Sequence, residues 1–359
     1  MGWNQGKFIE WLKHRVKVLC YRVASTTDSY TAFNYGSQNY IMRNSPQLAG
    51  ILCVITAMLV FIGNDASIKY LSDDYSIHQI VLARTLVALC ITLIITQLEG
   101  GFSVLKTRRP WLHLIRGLLI VIANLTYFLA LAVMPLAETM ALFFIAPLLI
   151  TMASALILRE DVGIRRWIGV AIGMAGMLII INPGSETLQL AALLPLIAAV
   201  CYTGMQVLTR VMAATDRAST MAFYIQISFL VVSTILGLTM GDGRFSGHEN
   251  ASLEFLFRAW KWPNQHDALL MGVCGVCVGL GGYLVSQGYR LAQASAVAPF
   301  EYVALPWGIA AGFIIFGEIP TTQSFVGIVL IVGAGLYVLK RESIRGQKRP
   351  RGYGSRTVR

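Results

Sequence analysis

Four ionisable side chains lie inside long apolar stretches of the chain, where no water is available to solvate a charge. They are Asp65, Arg84, Arg116 and Glu301. Ionisable groups in hydrocarbon are costly and usually face a cavity or one another, so each is a candidate site for a proton or a polar ligand. A fifth group, Lys69, follows Asp65 by four residues and therefore shares its face of a helix.

The depths of these residues along their apolar stretches allow two ion pairs. Asp65 and Arg84 lie at a similar depth from one side, and Arg116 and Glu301 lie at a similar depth from the other. In a functional interpretation, Asp65 binds a proton or a substrate ammonium group, and Arg84 adjusts its proton affinity. In a structural interpretation, the pair is static and holds two helices together. Lys69 would compete for the Asp65 carboxylate.

The residues around Glu301 favour a binding site. Pro299 precedes it, and Phe300 and Tyr302 are its aromatic neighbours. Proline frees a backbone carbonyl that neighbouring groups must satisfy, which predicts a broken helix beside a cavity. The aromatic rings could stack on a flat ligand. The alternative is a proline-kinked helix in which Glu301 pairs with Arg116 for structural reasons alone.

The elements that position these residues follow from composition. Apolar residues make up 56% of the 359 residues and charged residues make up 13%. In a soluble domain about 45–50% of the residues are apolar and about 25% are charged. A membrane span needs about 20 apolar residues. We predict an all-α integral membrane protein with ten transmembrane helices. The predicted helices cover residues 47–71, 77–98, 111–133, 136–158, 167–181, 190–212, 220–240, 268–289, 295–316 and 325–339.

The distribution of charge predicts the orientation of the chain in the membrane. The chain carries 29 Lys and Arg against 18 Asp and Glu, a net charge of +11. Most of the basic residues share one side if both termini are inside, as the positive-inside rule requires. We therefore expect a multi-pass protein of the cell inner membrane with both termini cytoplasmic. The charge lies in loops and tails, which argues against a nucleic-acid partner.

The sequence contains no pattern for catalysis or for a cofactor. A phosphate-binding glycine loop with its lysine is absent, so ATP hydrolysis is not expected. The five histidines are scattered and form no metal-ligand cluster with carboxylates. We predict a protein that is not an enzyme, binds no metal and needs no cofactor.

Several residues of the first half of the chain recur in the second half at a nearly constant separation along the sequence. If each half holds five spans, the second half is inverted relative to the first, an architecture typical of secondary transporters with a site near the midplane. Tyr127 and Tyr283 then become candidate ligand contacts, and the other matched residues are interpreted as gating or structural. The matched pairs are Tyr127 with Tyr283, Pro147 with Pro306, and Glu160 with Glu318.

Short motifs over about residues 46–342 carry a resemblance to a known family. They include Asn64-Asp65-Ala-Ser-Ile-Lys69, Arg116-Gly117-Leu118, Met134-Pro135-Leu136-Ala137 and Phe316-Gly317-Glu318-Ile319-Pro320. Together they resemble the EamA-type, ten-helix branch of the drug/metabolite transporter superfamily.

The resemblance implies secondary active transport of a small organic metabolite, such as S-adenosylmethionine, riboflavin or an amino acid, by alternating access across the cytoplasmic membrane. A channel and a non-transporting membrane enzyme are the alternatives. A channel is expected to show a ring of polar residues along its pore, and the sequence has no such motif. The expected partners are the metabolite and membrane lipid, and protons and a second copy of the chain remain candidates.

The chain divides into four regions on this interpretation. Residues 1–45 form a cytoplasmic extension that either folds as an amphipathic helix on the inner leaflet or is not translated, since Met42 stands before the first motif. Residues 46–183 are the first EamA-type repeat and residues 184–340 the second. Residues 341–359 are a basic cytoplasmic tail attracted to anionic lipid.

Overall fold

The structure is a computed structural model that describes residues 46–159, 163–181, 190–319 and 321–347. The predictions for residues 1–45 and for Glu160 lie outside the described residues. The described residues form α-helices joined by turns and short 3₁₀ segments. The α-helices are α1 Pro46–Leu71, α2 Ile77–Glu99, α3 Pro110–Leu131, α4 Leu136–Phe143, α5 Ala146–Leu156, α6 Ile164–Ile181, α7 Leu193–Met212, α8 Ala218–Met240, α9 Ala251–Phe257, α10 Gln265–Leu291, α11 Ala294–Val297, α12 Ala304–Phe316 and α13 Thr322–Gln347.

Eight helical segments in the described part of the chain are long and apolar enough to cross a membrane. Five of them are α1, α2, α3, α7 and α8, and a sixth is α10. The remaining two are Leu136–Leu156, which joins α4 and α5, and Ala294–Phe316, which joins α11 and α12. Two shorter apolar stretches, Trp167–Ile180 in α6 and Thr322–Ala334 in α13, match the other two predicted spans. The chain is therefore a multi-pass membrane protein, and the count of ten remains a prediction.

Two of the predicted single helices are interrupted. The span predicted over residues 136–158 is split between α4 and α5, and Pro147 lies in the first turn of α5, where a missing N–H is tolerated. The span predicted over residues 295–316 is divided by a 3₁₀ segment, Ala298–Val303. The broken helix predicted at Pro299 is confirmed, whereas the break before Pro147 was not predicted.

The two halves of the chain pack against each other along their helices. α1 packs against α10, α3 against α7, α2 against α8, and α6 against α13. At the first of these contacts Gly50 faces Gly288, and a Cβ atom on either would lie 2.9 Å from the carbonyl oxygen of the other. Small residues allow this approach of two helix backbones. The resulting interface between the halves contains the candidate site.

The two ends of the bundle are closed by different segments. The α1–α2 end, where α1 stops and α2 starts, is covered by residues 241–264, which include α9. Arg258 Nη1 donates to the Ser72 carbonyl at 2.8 Å, and Ser252 Oγ donates to the Leu129 carbonyl at 2.6 Å. Phe255 of α9 is buried beneath this cover. The α2–α3 end is formed by residues 100–109 and 213–217.

Candidate functional site

A cavity of about 160 Å³ lies between the two halves. On the same measure a single water needs roughly 10–15 Å³, so the space is far larger than a packing defect. Its wall is drawn from both halves: α1, α2, α3 and α4 on one side, and α7, α8, α10 and α12 on the other. Much of the wall is aromatic, and its rings belong to Phe61, Tyr127, Phe128, Phe143, Phe144, Tyr202 and Phe229.

Arg84 lines the cavity, and one nitrogen of its guanidinium group has no hydrogen-bond partner. Its side chain is 1% exposed, Nη1 donates to Asn64 Oδ1 at 3.2 Å, and Nη2 donates to Asn124 Oδ1. The guanidinium carbon lies 5.3 Å and 5.5 Å from the ring centroids of Phe128 and Phe229, within cation–π range. Nε is buried without a partner. A buried polar atom of this kind calls for an explanation, and a ligand in the cavity supplies one.

The position of Arg84 depends on a close contact between α2 and α10. A Cβ atom on Gly275 of α10 would lie 2.5 Å from the Arg84 carbonyl oxygen. Glycine at this position leaves room for the two helix backbones to approach each other. A larger residue there would push the Arg84 backbone away from α10.

Asp65 also lines the cavity, but it does not form the predicted ion pair with Arg84. The ion pairs of the described residues do not include one between them. The Asn64 amide stands between the two, since it accepts from Arg84 and donates to Asp65 Oδ1 at 3.0 Å. Tyr127 Oη donates to Asp65 Oδ2 at 3.2 Å. The two charges are thus joined through a neutral amide.

Lys69 does not compete for Asp65, contrary to the prediction. Its Nζ lies 2.7 Å from Glu318 Oε1 and donates to the Met134 carbonyl at 2.8 Å. Glu318 Oε2 accepts from the backbone N–H of Leu136, the first residue of α4. A carboxylate at a helix N-terminus is favoured by the helix dipole. This ion pair joins the two halves at the α1–α2 end, beyond the cavity.

Arg116 does not pair with Glu301, although it lines the cavity. Its Nε donates to Thr209 Oγ1 at 2.7 Å, its Nη1 to the Met221 carbonyl at 2.7 Å, and its Nη2 to Ser286 Oγ at 3.2 Å. All three acceptors belong to the second half, and each guanidinium nitrogen has a partner. Arg116 therefore ties α3 to α7, α8 and α10.

Glu301 and Tyr302 are buried behind the cavity wall and do not line it. Glu301 Oε1 accepts from Tyr202 Oη at 3.0 Å and from Tyr289 Oη at 2.6 Å. The Tyr302 ring lies 6.0 Å from that of Phe144, which is a wall residue. Tyr202 therefore connects the cavity to Glu301, since it lines the cavity and donates to the carboxylate.

Three further predicted residues lie away from the cavity wall. Tyr283, the proposed counterpart of Tyr127, donates to Glu99 Oε1 at 2.6 Å near the α2–α3 end. Pro147 is buried in α5 and Pro306 is exposed on α12. Their roles, and that of Glu318, remain predictions.

A buried histidine–aspartate contact near Arg116 was not predicted from the sequence. His113 Nε2 lies 3.2 Å from Asp216 Oδ1, and Thr215 Oγ1 donates to Asp216 Oδ2 at 2.6 Å. Burial raises the pKa of the Asp216 carboxyl, but hydrogen bonds from Thr215, Thr107 and His113 outweigh burial and hold this pKa below its usual value. The sequence offered no signal for this contact, because the two residues are far apart in the chain.

The fold and the cavity define the class of protein: a multi-pass helical membrane protein with a polar, aromatic-walled site between two packed halves. Residues 48–182 match the EamA-like transporter family, which confirms the resemblance indicated by the sequence motifs.

Several relatives match over most of the chain. A riboflavin transporter of Vibrio cholerae is 28% identical over 305 residues, which are 84% of this chain and 96% of the relative. A riboflavin transporter of Rhizobium johnstonii is 27% identical over 69% of this chain and 76% of the relative. An S-adenosylmethionine uptake transporter of Rickettsia felis is 23% identical over 82% of this chain and 94% of the relative. The family and these relatives are transporters, which confirms the prediction of a non-enzyme.

A solved crystal structure shares the fold. It is 20% identical to this chain, with a TM-score of 0.62, over 82% of this chain and 99% of the other. At this level of identity the likeness concerns the fold alone.

Proposed function

We propose that the chain is a secondary transporter that carries a small organic metabolite across the cytoplasmic membrane by alternating access, with both termini cytoplasmic. The observation that carries the proposal is the cavity, because its wall comes from both halves and contains Asp65 and Arg84 well inside their spans. Secondary transporters built from repeats hold their substrate at such an interface.

The packing of the helices supports ten spans in two inverted repeats. In that arrangement α1 corresponds to α7, and α3 corresponds to α10. The contact of α1 with α10 is then the counterpart of the contact of α3 with α7, and both are among the closest contacts of the fold. The contacts of α2 with α8 and of α6 with α13 each join a helix to its own counterpart.

Alternating access requires that one end of the cavity can open while the other stays closed. The Lys69–Glu318 pair joins the halves at the α1–α2 end, with side chains 14% and 21% exposed. Opening this end separates the two charges and frees the α4 N-terminus from its carboxylate. Hydration of the separated charges offsets much of the lost attraction, so this pair suits a reversible closure.

The wall of the cavity favours a flat, uncharged heteroaromatic substrate such as riboflavin. Its charged residues are two arginines and one aspartate, Arg84, Arg116 and Asp65, which disfavours a sulfonium cation such as S-adenosylmethionine. Arg84 Nε has no acceptor and Gln226 Oε1 has no donor. A flavin ring offers both complements, carbonyl oxygens and a ring N–H, and its flat face fits the aromatic side chains.

Exchange across proteoliposomes tests the proposal. Vesicles that contain the purified protein and unlabelled riboflavin are expected to take up labelled riboflavin in a saturable way, and excess riboflavin but not S-adenosylmethionine is expected to compete. Unsaturable conductance would establish a channel instead. If neither compound nor an amino acid exchanges, the transport proposal is wrong.

A further inference from the structure

Glu301 is a buried carboxylate with an incomplete set of partners. It lies in the 3₁₀ segment between α11 and α12 and is 0% exposed. Tyr202 and Tyr289 both donate to its Oε1. Its Oε2 is buried and has no hydrogen-bond partner. One oxygen of this carboxyl group is therefore satisfied twice, and the other not at all.

In the described part of the chain, Glu301 has no positively charged partner. The titratable groups that face it are the hydroxyls of Tyr202 on α7 and Tyr289 on α10, and that of Tyr302 next to it in the chain. The 3₁₀ segment also packs against α1, α5 and α13. Among the described residues, no lysine, arginine or histidine forms an ion pair with Glu301. A buried anion without a cation is strongly unfavourable, so the neutral acid, with its proton on Oε2, is the stable form.

Glu301 is separated from the cavity by one side chain. Tyr202 lines the cavity and donates its hydroxyl to Glu301. The Tyr202 ring lies 5.3 Å from that of Phe143, which is also a wall residue. A ligand that moves the Tyr202 ring changes the hydrogen bond to Glu301. The carboxylate also sits on irregular backbone, which in transporters typically forms the substrate and ion sites.

We propose that Glu301 is the proton-binding site of this protein, next to the substrate cavity and coupled to it through Tyr202. This inference rests on the proposed transport function and assigns its coupling ion. Water on one side of the membrane delivers the proton, an O–H bond forms at Glu301 Oε2, and the same bond breaks when the proton returns to water on the other side. Asp65 differs because it lies in the cavity, with Arg84 nearby to offset its charge.

Driven accumulation of riboflavin in proteoliposomes tests this assignment. With one proton per substrate, a gradient of one pH unit supports at most about tenfold accumulation. Glu301→Gln keeps the shape of the neutral acid but cannot exchange a proton, so the accumulation ratio is expected to fall to about one. Asp216→Asn is the matched control, since it neutralises a buried carboxylate that lies away from the cavity wall, and its uptake is expected to remain responsive to the gradient.

An infrared measurement tests Glu301 without relying on a transport assay. Difference spectra between alkaline and neutral buffer, a range in which exposed carboxylates stay ionised, are expected to show the carbonyl band of a protonated carboxyl group in the unaltered protein and in Asp65→Asn, but not in Glu301→Gln. Tyr202→Phe is expected to keep this band while riboflavin no longer shifts it, as a positioning role requires. The assignment is overturned if Glu301→Gln keeps the band, or if Asp65→Asn loses it. If riboflavin is not carried at all, the transport proposal fails and the infrared result still decides the proton site.

Discussion

The two buried arginines of the cavity wall have the same burial and opposite surroundings. Arg84 on α2 and Arg116 on α3 are each 1% exposed. Arg116 has a partner for every guanidinium nitrogen, all from the second half. Arg84 rests on two asparagine side chains and two phenylalanine rings and has an unpaired Nε. Burial alone therefore does not distinguish Arg116, which holds helices together, from Arg84, which is available to a ligand. The two differ in whether every guanidinium nitrogen has a hydrogen-bond partner.

The neighbouring carboxylates differ in the same sense. Arg116 interacts electrostatically with Asp216, and Asp216 in turn contacts His113 and accepts a hydrogen bond from Thr215. Arg84 is linked to Asp65 through the Asn64 amide, inside the cavity. Every guanidinium nitrogen of Arg116 thus has a partner, although Nδ1 of the nearby His113 has none, whereas Arg84 keeps an unpaired Nε at the cavity wall.

The largest expected effect is that of Arg116→Met on stability. The change removes three buried hydrogen bonds from a charged donor, to Thr209, Ser286 and the Met221 carbonyl, which should cost about 3–5 kcal/mol. Thermal unfolding of the purified protein in detergent measures the loss. Arg84→Met is the matched control and should lose clearly less. Equal losses in the two variants would remove the distinction between the two arginines.

The next effect concerns ligand affinity. Arg84→Gln removes the unpaired donor and the positive charge, and riboflavin affinity is expected to fall by about tenfold to a hundredfold. Arg84→Lys keeps the charge without the planar guanidinium and should also bind weakly. Quenching of riboflavin fluorescence measures both dissociation constants. Unchanged affinity in both variants would show that Arg84 does not contact the ligand.

A third effect tests how the α2–α10 contact positions Arg84. Gly275→Ala places a methyl group 2.5 Å from the Arg84 carbonyl oxygen, and overpacking of this kind costs about 1–3 kcal/mol. We expect lower stability together with weaker riboflavin binding. Gly272→Ala is the matched control, because a Cβ atom there meets nothing within 4 Å. If both alanine variants behave alike, the contact is not what holds Arg84 in place.

The smallest effect concerns the pH dependence of stability in the Arg116 region. The pKa of Asp216 is lower in the folded protein than in the unfolded chain, so its ionised form stabilises the fold above the unfolded pKa, and this contribution disappears as pH falls through the folded pKa. Asp216→Asn is expected to cost about 1 kcal/mol at neutral pH, the order of one net hydrogen bond. The difference in unfolding midpoint between the unaltered protein and Asp216→Asn should therefore be smaller at acidic pH than at neutral pH. A constant difference at every pH would contradict the assignment.

Much of the fold was predictable because membrane spans are a local property of sequence. The predicted spans over residues 77–98 and 220–240 agree closely with α2 Ile77–Glu99 and α8 Ala218–Met240. The break before Pro147 escaped prediction, since proline in the first turn of a helix is equally compatible with a continuous apolar run.

Of the four ionisable residues that the sequence places inside apolar spans, Asp65, Arg84 and Arg116 lie in the cavity wall and Glu301 lies behind it, and their roles remain predictions. The sequence alone therefore determined which segments are apolar enough to cross a membrane and which charges within them need a polar surrounding. Only the tertiary structure decided the partners, such as Glu318 for Lys69 and the tyrosine hydroxyls for Glu301. The physical reason is that hydrophobicity is summed along one segment, whereas a partner depends on the rotation of each helix about its axis and on which helices lie beside it.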